Sequence, residues 1–386
     1  MKLTLVNNYP LINSTGGSEK IFCSLANALT GRGHDVTGIY FDNKTGKPLY
    51  PLSDKVKLSD AGKQGLPVFS YLYKKLIISI DINKDRRRKK RALLSANYTT
   101  LQLKKSLNHI QSDAFIAFQP ETAYALLTIG KKPVYLMLHS SPDKLSFLEQ
   151  AKDVLAGCKV IQVLQPEYIQ MARNIVPNSN IIYIPNPVYI PKQKSNHSNK
   201  KIIYLGRISK GKRIELLIKS FHRIQNDFPS WTVEIWGPLK PNDKYQKQLL
   251  SLVKDLSLEE RVFFRGHTNK IYDVLSSGSI FAFPSECEGF SLSLTEAMST
   301  GLACIACGDC TGISSLLNNS NAVLCSPTVD DFSKHLSMLM KTPLIRIQLG
   351  DQAVSSMQKY SPDLIWDSWD SLLTKNRLTD ITKSLR

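Results

Sequence analysis

An alternation of short apolar runs with helix-spaced apolar residues constrains this chain more than any other feature. The run KLTLV (2–6) is followed by the turn cluster NSTGGS (13–18), by apolar residues at helical spacing from Ile21 to Leu29, and by a second β-prone run after Gly33. A strand, a helix and a strand in this order form a βαβ unit, which implies a parallel sheet with helices on its faces. The sequence therefore predicts an α/β fold.

The same rhythm restarts beyond a polar segment. The stretch PKQKSNHSNK (191–200) has no periodicity and predicts a linker, and strand-like runs resume at KIIYLG (201–206). Because 386 residues are too many for one ordinary core, we predict two doubly wound domains, 1–188 and 199–357, and a final helical segment, 358–386. Ligands of such sheets bind beyond the carboxyl ends of the strands, so we expect a site in a cleft between two facing domains.

The charge is strongly positive and unevenly placed. The formal net charge is +18, and most of the excess lies in the first half, with the densest run, KDRRRKKR, at 84–91. Such a surface favours a polyanionic partner, namely nucleic acid, an anionic membrane leaflet or a phosphate-bearing substrate. A solvated helix face or a mobile loop explains the run equally well. Nucleic acid is disfavoured because the run lacks interleaved aromatic residues.

Composition also bears on compartment and cofactors. The sequence has no run of eighteen apolar residues, and its first apolar stretch is too short for a signal peptide. Seven scattered cysteines favour free thiols in a reducing cytoplasm. The spacing of Cys304, Cys307 and Cys310 resembles that of cluster ligands, but no fourth ligand with matching context follows. We expect a cytoplasmic protein that uses no metal or cofactor. Its basic first domain could hold it peripherally at the membrane.

Two motifs carry the chemistry of the second domain. In GRISKGK (206–212) the basic residues Arg207 and Lys212 follow a predicted strand, where they could neutralise phosphates, although an ordinary strand–helix turn would look the same. The second motif is CEGFSLSLTEAM (287–298). It predicts a helix N-terminus capped by Ser291, or by Ser293 within a capping box.

The second motif combines an anion site with two acids. A helix N-terminus offers free N–H groups and the positive end of a dipole, which suit a phosphate. The carboxylates of Glu288 and Glu296 would repel a phosphate but could accept hydrogen bonds from hydroxyls. A ligand with phosphates and vicinal hydroxyls is a nucleotide sugar. A capped surface helix with acids near its N-terminus is the alternative.

Together these motifs resemble the retaining GT-B glycosyltransferases of the large Glu-x7-Glu family, the family 4, group 1 type. The shared pattern comprises Gly206-Arg207 with Lys212, Pro284-Ser285, and Glu288-Gly289-Phe290 with Glu296-Ala297-Met298. The first domain adds Gly16-Gly17-Ser18-Glu19. The resemblance implies a GT-B fold, two Rossmann-like domains facing each other across a cleft, and a last helix that crosses back to the first domain. This chain departs from the pattern at Ser291, where glycine is usual.

The resemblance also implies roles for individual residues. Arg207 and Lys212 would bind the donor diphosphate, together with the backbone N–H groups of Phe290, Ser291 and Leu292. Glu288 would contact the donor sugar, and Glu296 the ribose hydroxyls. In the first domain, the Gly16-Gly17 loop would meet the donor phosphate or the acceptor. His139, after the strand VYLML, would touch the donor sugar beside Glu288.

The expected function is that of a hexosyltransferase. It would move a sugar from a nucleoside diphosphate sugar, with UDP favoured, to an acceptor hydroxyl with retention, in polysaccharide, lipopolysaccharide or lipid-linked glycan biosynthesis. Its partners would be the donor, a glycan or lipid-linked acceptor and an anionic membrane surface. A nucleotide-sugar epimerase or hydrolase and a basic nucleic-acid-binding protein are the alternatives.

Overall fold

The chain divides into two compact units. The computed structural model describes residues 1–62 and 84–375. The first unit comprises Met1–Asn186 and the chain from Asp363 onward, and the second comprises Pro187–Pro362. The last helix therefore belongs to the first unit. Residues 376–386 of the predicted final segment lie outside the described residues.

Within the described ranges, the first unit contains a seven-stranded parallel sheet in the order β3-β2-β1-β4-β5-β6-β7. Its strands are β1 (Lys2–Val6), β2 (Asp35–Tyr40), β3 (Lys57–Asp60), β4 (Ala114–Ala117), β5 (Val134–Met137), β6 (Val160–Val163) and β7 (Ile181–Tyr183). Its described helices are α1 (Gly17–Gly31), α2 (Lys84–Ser106), α3 (Pro120–Thr128), α4 (Ser146–Gln150), α5 (Lys152–Leu155), α6 (Glu167–Ile175) and the last helix, α13 (Pro362–Lys375).

The second unit is described throughout and has a six-stranded parallel sheet in the order β10-β9-β8-β11-β12-β13. Its strands are β8 (Lys201–Leu205), β9 (Thr232–Trp236), β10 (Val262–Gly266), β11 (Ile280–Phe283), β12 (Ala303–Cys307) and β13 (Val323–Cys325). Its helices are α7 (Ile214–Ile224), α8 (Lys244–Asp255), α9 (Ile271–Ser276), α10 (Leu292–Thr300), α11 (Val329–Lys341) and α12 (Pro343–Met357).

The central strands are buried on both faces, as a parallel sheet covered by helices requires. Every residue of β11 (IFAF) and β12 (ACIAC) is buried, which explains why these strands are unbroken apolar runs rather than alternating ones. The predicted stripe on α7, from Ile214 to Phe221, packs into the core of the second unit. The prediction of a two-domain, doubly wound α/β fold is confirmed.

Three short strands lay outside the sequence-based prediction. Strands β3, β7 and β13 have only three or four residues each, and all three lie at the outer edge of a sheet. A central strand of a parallel sheet is marked by its apolar run, whereas β3 (KLSD) is half-exposed and mostly polar. Apolar periodicity therefore identifies the interior of each sheet better than its edges.

Candidate active site

The topology of the second unit brings two predicted motifs to one edge of its sheet. The strand order reverses between the paired strands β8 and β11, and ligands of doubly wound sheets bind at such a switch point. The segment 206–213 leaves the carboxyl end of β8, and the segment 284–291 leaves that of β11. The residues predicted to hold a nucleotide sugar thus follow two neighbouring strands.

The loop after β8 is held by side-chain contacts and by a short turn. The Tyr204 hydroxyl donates a 2.9 Å hydrogen bond to the carbonyl oxygen of Arg207, and a 3-10 turn covers Lys210–Lys212. Arg213 follows with φ of 48°, in the left-handed region that is uncommon for a residue with a long side chain. Its guanidinium holds the Asp309 carboxylate at 2.9 Å. The Arg207 side chain lies on the exposed part of this loop.

The structure places the residues predicted for the diphosphate and the sugar in direct contact. Lys212 Nζ forms an ion pair with Glu288 Oε1, and the two side chains are only 14% and 12% exposed. Solvent and salt screen such an enclosed pair less than a pair on the surface. Within the site, the charge of Glu288 therefore compensates that of Lys212.

Backbone hydrogen bonds fix the loop that carries Glu288. Glu286 N–H donates to the Gly211 carbonyl at 3.0 Å, and Glu288 N–H donates to the Thr311 carbonyl at 2.9 Å. Thr311 N–H returns a bond to the Glu286 carbonyl at 3.3 Å. The loop after β11 is thus held between the loops after β8 and β12, which positions Glu288 beside Lys212.

Two buried groups near the ion pair remain uncharged. Burial raises the pKa of the Tyr204 phenol well above its ordinary value, and the negative charge of Glu288 raises it further. Burial likewise raises the pKa of the Cys310 thiol, again with a contribution from Glu288. Both groups stay protonated near neutral pH, so they add no negative charge where phosphates are expected.

Helix α10 begins where the sequence predicts an anion site. Ser291 is its N-cap and accepts a 3.4 Å hydrogen bond from the Leu294 N–H. The capping box at Ser293 was the wrong alternative, because Ser293 already lies inside the helix. Ser291 has φ of −72°, an ordinary value, so serine fits without strain where the resemblance has glycine. Phe290 is buried against Tyr360, with ring centroids 5.7 Å apart.

Glu296 lies one turn into α10. It is 7% exposed, and α10 packs against α9. The pKa of Tyr272 on α9 is raised, first by burial and next by the charge of Glu296, so the phenol and the carboxylate lie in one neighbourhood. Glu288 precedes the helix and Glu296 lies within it, so the two acids lie on either side of the helix N-terminus.

The three cysteines with cluster-like spacing do not form one ligand set. Cys304 and Cys307 are both buried in β12, where residues three apart point to opposite faces of a sheet. Cys307 is in register with Cys325 of β13. Across residues 1–62 and 84–375, no group of three or more His, Cys, Asp or Glu side chains is arranged to hold a metal ion.

In the first unit, the Gly-Gly turn starts α1. Gly16 is the N-cap and Gly17 the first helical residue. The buried Glu19 carboxylate folds back over this turn, and a Cβ at Gly16 would lie 2.0 Å from Glu19 Oε2. The helix dipole favours an acid at this end, but a diphosphate at Gly16 would meet the same carboxylate. A hydroxyl-bearing ligand suits this turn better than an anionic one.

His139 follows β5 and is enclosed. Its ring stacks on Phe118 with centroids 5.2 Å apart, and burial lowers its pKa from 6.5 to about 4. Its Nε2 is buried and has no hydrogen-bond partner among the described residues. His139 is therefore a neutral imidazole with one nitrogen still to be satisfied, as expected of a group that awaits a ligand.

Three amides that the sequence analysis missed lie at the switch point of the first sheet, between β1 and β4. The Gln119 side chain donates to Asn7 Oδ1 at 2.6 Å and accepts from the Asn8 N–H at 2.9 Å. Asn7 Nδ2 and Asn8 Oδ1 are buried and unsatisfied within the described residues. The sequence could have identified these residues as site candidates, because Asn7-Asn8 and Gln119 directly follow apolar runs that were predicted to be strands.

The comparison with known proteins decides the class of the chain. Residues 186–355 match the family model described as glycosyl transferases group 1. A Haemophilus influenzae protein named as an uncharacterized glycosyltransferase is 26% identical over 373 residues, which cover 94% of this chain and 97% of that protein. The chain is a glycosyltransferase. The prediction of a hexosyltransferase is confirmed.

A second relative is more similar over a shorter range. It is the Campylobacter jejuni N-acetylgalactosamine-N,N'-diacetylbacillosaminyl-diphospho-undecaprenol 4-alpha-N-acetylgalactosaminyltransferase, which is 36% identical over 105 residues, or 27% of each chain. Its name states an alpha-transfer onto a lipid diphosphate.

Solved structures show the same fold as this glycosyltransferase. Sucrose-phosphate synthase from Thermosynechococcus elongatus has a TM-score of 0.79 at 15% identity, over 97% of this chain and 98% of that chain. The Anabaena protein HepE, in complex with UDP and glucose, has a TM-score of 0.72 at 16% identity, over 97% of this chain and all of the other. At this identity the likeness concerns the fold alone.

The fold of the glycosyltransferase thus brings some of the predicted site residues together. The second unit brings Lys212 and Glu288 into contact and sets the α10 N-terminus after the same loop. In the first unit, Gly16, Gly17 and His139 follow β1 and β5. The roles assigned to these residues toward a donor or an acceptor stay predictions.

Proposed function

We propose that this glycosyltransferase moves a sugar from a nucleoside diphosphate sugar, with UDP as the nucleotide, to an acceptor hydroxyl with retention of configuration. The observation that carries the proposal is the enclosed Lys212–Glu288 pair beside the N-terminus of α10. A cation, a carboxylate and a helix N-terminus together match a ligand that has both a diphosphate and a sugar.

The positive groups act on the leaving diphosphate. Lys212, the exposed Arg207 and the N–H groups of Phe290, Ser291 and Leu292 would stabilise the negative charge that develops as the glycosidic bond breaks. In this proposal these groups supply the charge that a divalent cation supplies elsewhere. Turnover should therefore be unchanged by EDTA, and a loss of activity that Mg²⁺ or Mn²⁺ restores would refute this part.

The two acids recognise hydroxyls. Glu288 would accept hydrogen bonds from the transferred sugar, and Glu296 would accept them from the ribose. Charge-assisted hydrogen bonds of this kind are stronger than neutral ones. Because Glu288 is also the ion-pair partner of Lys212, the sugar and the diphosphate would be recognised through one connected pair of side chains.

Retention follows a front-face route in this proposal. The departing phosphate helps to deprotonate the acceptor hydroxyl, and no side chain acts as a nucleophile. The C. jejuni relative, named as an alpha-transferase, supports retention if its donor is α-linked, since an α-product then requires it.

In the first unit, groups that carry no positive charge would contact the sugar and the acceptor. His139 carries no charge at neutral pH because burial lowers its pKa to about 4, so it can exchange hydrogen bonds with a sugar hydroxyl without attracting the diphosphate. The unsatisfied amide atoms of Asn7 and Asn8 and the carboxylate over Gly16 suit hydroxyls as well. We therefore assign the Gly16-Gly17 turn to a glycan rather than to the donor phosphates.

The acceptor belongs to a cell-surface polysaccharide, a lipopolysaccharide or a lipid-linked glycan. The C. jejuni relative is named for a diphospho-undecaprenol acceptor, which supports a lipid-linked substrate. The proposed location is the cytoplasm, with peripheral attachment to the inner face of the cytoplasmic membrane.

Calorimetry with UDP-, GDP-, ADP- and TDP-sugars tests the donor assignment. We expect saturable binding of a UDP-sugar and loss of sugar discrimination in Glu288→Gln. The anomeric configuration of the product, read by NMR from a turnover with an acceptor extract, tests retention. Failure of every nucleotide sugar to bind would refute the proposal, and donor turnover that needs no acceptor would identify an epimerase or hydrolase instead.

A further inference from the structure

The loop that joins β1 to α1, residues 7–16, leads directly into the Gly16-Gly17 turn. Its centre is buried, since Leu11 and Ile12 are each 1% exposed. The next residue, Asn13, is exposed and has φ of 57°, in the left-handed region that asparagine tolerates better than most residues. We call this segment the 7–16 loop. It is anchored at its centre and runs from there to the turn that we assigned to a glycan.

One buried carboxylate holds the centre of the 7–16 loop. Asp42 Oδ2 accepts hydrogen bonds from the Leu11 N–H at 3.1 Å and from the Ile12 N–H at 2.7 Å. The Asp42 side chain is only 1% exposed, and Nζ of the exposed Lys44 lies 3.5 Å from its other oxygen. Hydrogen bonds to an ionised acceptor are stronger than those between neutral groups. The backbone of two consecutive loop residues is therefore tied firmly to one side chain.

The segment that carries Asp42 is fixed by the neighbouring strand. Asp60, the last residue of β3, accepts hydrogen bonds from the Asp42 N–H at 3.1 Å and from the Asn43 N–H at 2.8 Å. Strand β3 is itself paired with β2 in the parallel sheet. The position of the 7–16 loop is therefore tied to the sheet through two successive carboxylates.

Two further side chains hold the ends of the 7–16 loop. The Asn8 N–H donates to Gln119 Oε1 at 2.9 Å. At the other end, the Tyr50 hydroxyl donates to the carbonyl oxygen of Thr15 at 3.0 Å, and Thr15 directly precedes the glycine turn. All of these bonds engage backbone atoms of the loop. They therefore fix the path of its main chain rather than the direction of one of its side chains.

We infer that Asp42 and Tyr50 are positioning residues, which hold the 7–16 loop so that the Gly16-Gly17 turn meets the acceptor glycan. The inference rests on the proposed function, in which this turn contacts a glycan. A misplacement of about 1 Å that originates far from the chemistry can lower a rate about 100-fold. Asp42 and Tyr50 thus act on the acceptor through the main chain of the loop, without contacting the acceptor themselves.

A purely structural role for Asp42 predicts a different result. Its removal leaves two buried N–H groups without their acceptor, which destabilises the fold in either case. A loss of stability alone would lower the Tm, but it would leave the KM for the acceptor unchanged at temperatures where the variant is folded. The KM for the acceptor therefore distinguishes a positioning role from a structural one.

Hydrogen exchange and acceptor kinetics of the full chain test the inference. In Asp42→Ala, the amides of Leu11 and Ile12 should exchange at least about tenfold faster than in the wild type. The kinetic probes are the UDP-sugar that binds in calorimetry and lipid-linked glycans extracted from bacterial membranes. We expect the KM for these glycans to rise about tenfold in Asp42→Ala. It should rise only about threefold in Asp42→Asn, which keeps an acceptor oxygen, and in Tyr50→Phe, which removes one hydroxyl.

Asp35→Asn is the matched control. Asp35 lies at the other end of β2 and pairs with the exposed Lys57, so its substitution should change neither the amide exchange nor the KM. Unchanged exchange of Leu11 and Ile12 in Asp42→Ala would overturn the inference, and so would faster exchange with a wild-type KM. If Asp42→Ala did not fold, wild-type KM values in both Asp42→Asn and Tyr50→Phe would overturn it.

Donor binding separates this inference from the proposed function. The substituted residues belong to the first unit and none of them is predicted to contact the donor, so calorimetry with UDP should give the same affinity for all variants. A wild type that binds no nucleotide sugar, or that transfers sugar to none of the extracted glycans, would contradict the proposed function. A wild type that transfers sugar, with variants that keep its KM, would contradict the inference alone.

Discussion

The contact between Lys212 and Glu288 yields an unusual prediction for Glu288→Gln. In the wild type, a diphosphate must draw Lys212 away from an acid that lies beside it and is itself 12% exposed. The substitution keeps the size of the side chain but removes this competitor. We therefore expect Glu288→Gln to bind UDP more tightly than the wild type while it transfers sugar poorly.

The magnitude follows from the enclosure of the pair. Opposite charges about 4 Å apart attract by about 4 kcal/mol at an effective dielectric near 20, whereas solvation and side-chain entropy reduce exposed pairs to about 0–1 kcal/mol. With exposures of 14% and 12%, the net value should lie between these limits. Release of Lys212 is then worth about 1–2 kcal/mol, or about tenfold in the Kd of UDP. A loss of sugar contacts should lower turnover by about 100-fold or more.

Isothermal calorimetry with UDP and with the UDP-sugar measures both effects. The ratio of the two affinities should shift toward UDP in Glu288→Gln. Asp330→Asn is the matched control, because Asp330 pairs with Arg223 on the surface of the same unit and should alter neither affinity. If Glu288→Gln weakened the binding of UDP as much as that of the UDP-sugar, the ion pair with Glu288 would not limit how Lys212 binds the diphosphate, and the reasoning would be refuted.

Three further substitutions test local contacts. Ser291→Ala removes the N-cap of α10 and should lower the free energy of unfolding by about 1 kcal/mol in chemical denaturation; an unchanged midpoint would contradict the cap. His139→Phe should flatten the dependence of stability on acid pH. In the wild type the pKa of His139 is lowered to about 4 in the folded state, so protonation of the unfolded state lowers the free energy of unfolding by up to about 3 kcal/mol as the pH falls from about 7 to 4. Equal slopes for both proteins would refute this. Asp370→Asn should loosen α13, because its carboxylate lies 2.6 Å from the nearly buried His34, and the loss in Tm should exceed that of Asp367→Asn, whose ion pair is more exposed.

The sequence predicted the elements of the site better than their contacts. Ser291 was one of two proposed caps, and the backbone selects it because α10 begins one residue later, at Leu292. The motif around Gly16 predicted a helix start but not the carboxylate of Glu19 over it. Such contacts depend on side-chain directions, which a motif pattern does not contain.

The pairing of remote residues was also beyond the sequence. Asn7 and Gln119 are separated by 112 positions and meet because β1 and β4 are neighbours in the sheet. His34 and Asp370 are separated by 336 positions and meet because the last helix packs on the first unit. A linear pattern can place Asn7 and Gln119 after predicted strands, but it does not contain which strands are neighbours.

The sequence by itself determined the doubly wound α/β class and the order of the motifs predicted to bind the donor, because both depend on local periodicity and on residues close together in the chain. Only the tertiary structure decided that Lys212 and Glu288, 76 positions apart, form an ion pair, since β11 had to take its place beside β8 before their loops could meet. It also decided which side of α2 packs into the core, because Ala96 and Leu103 are buried there.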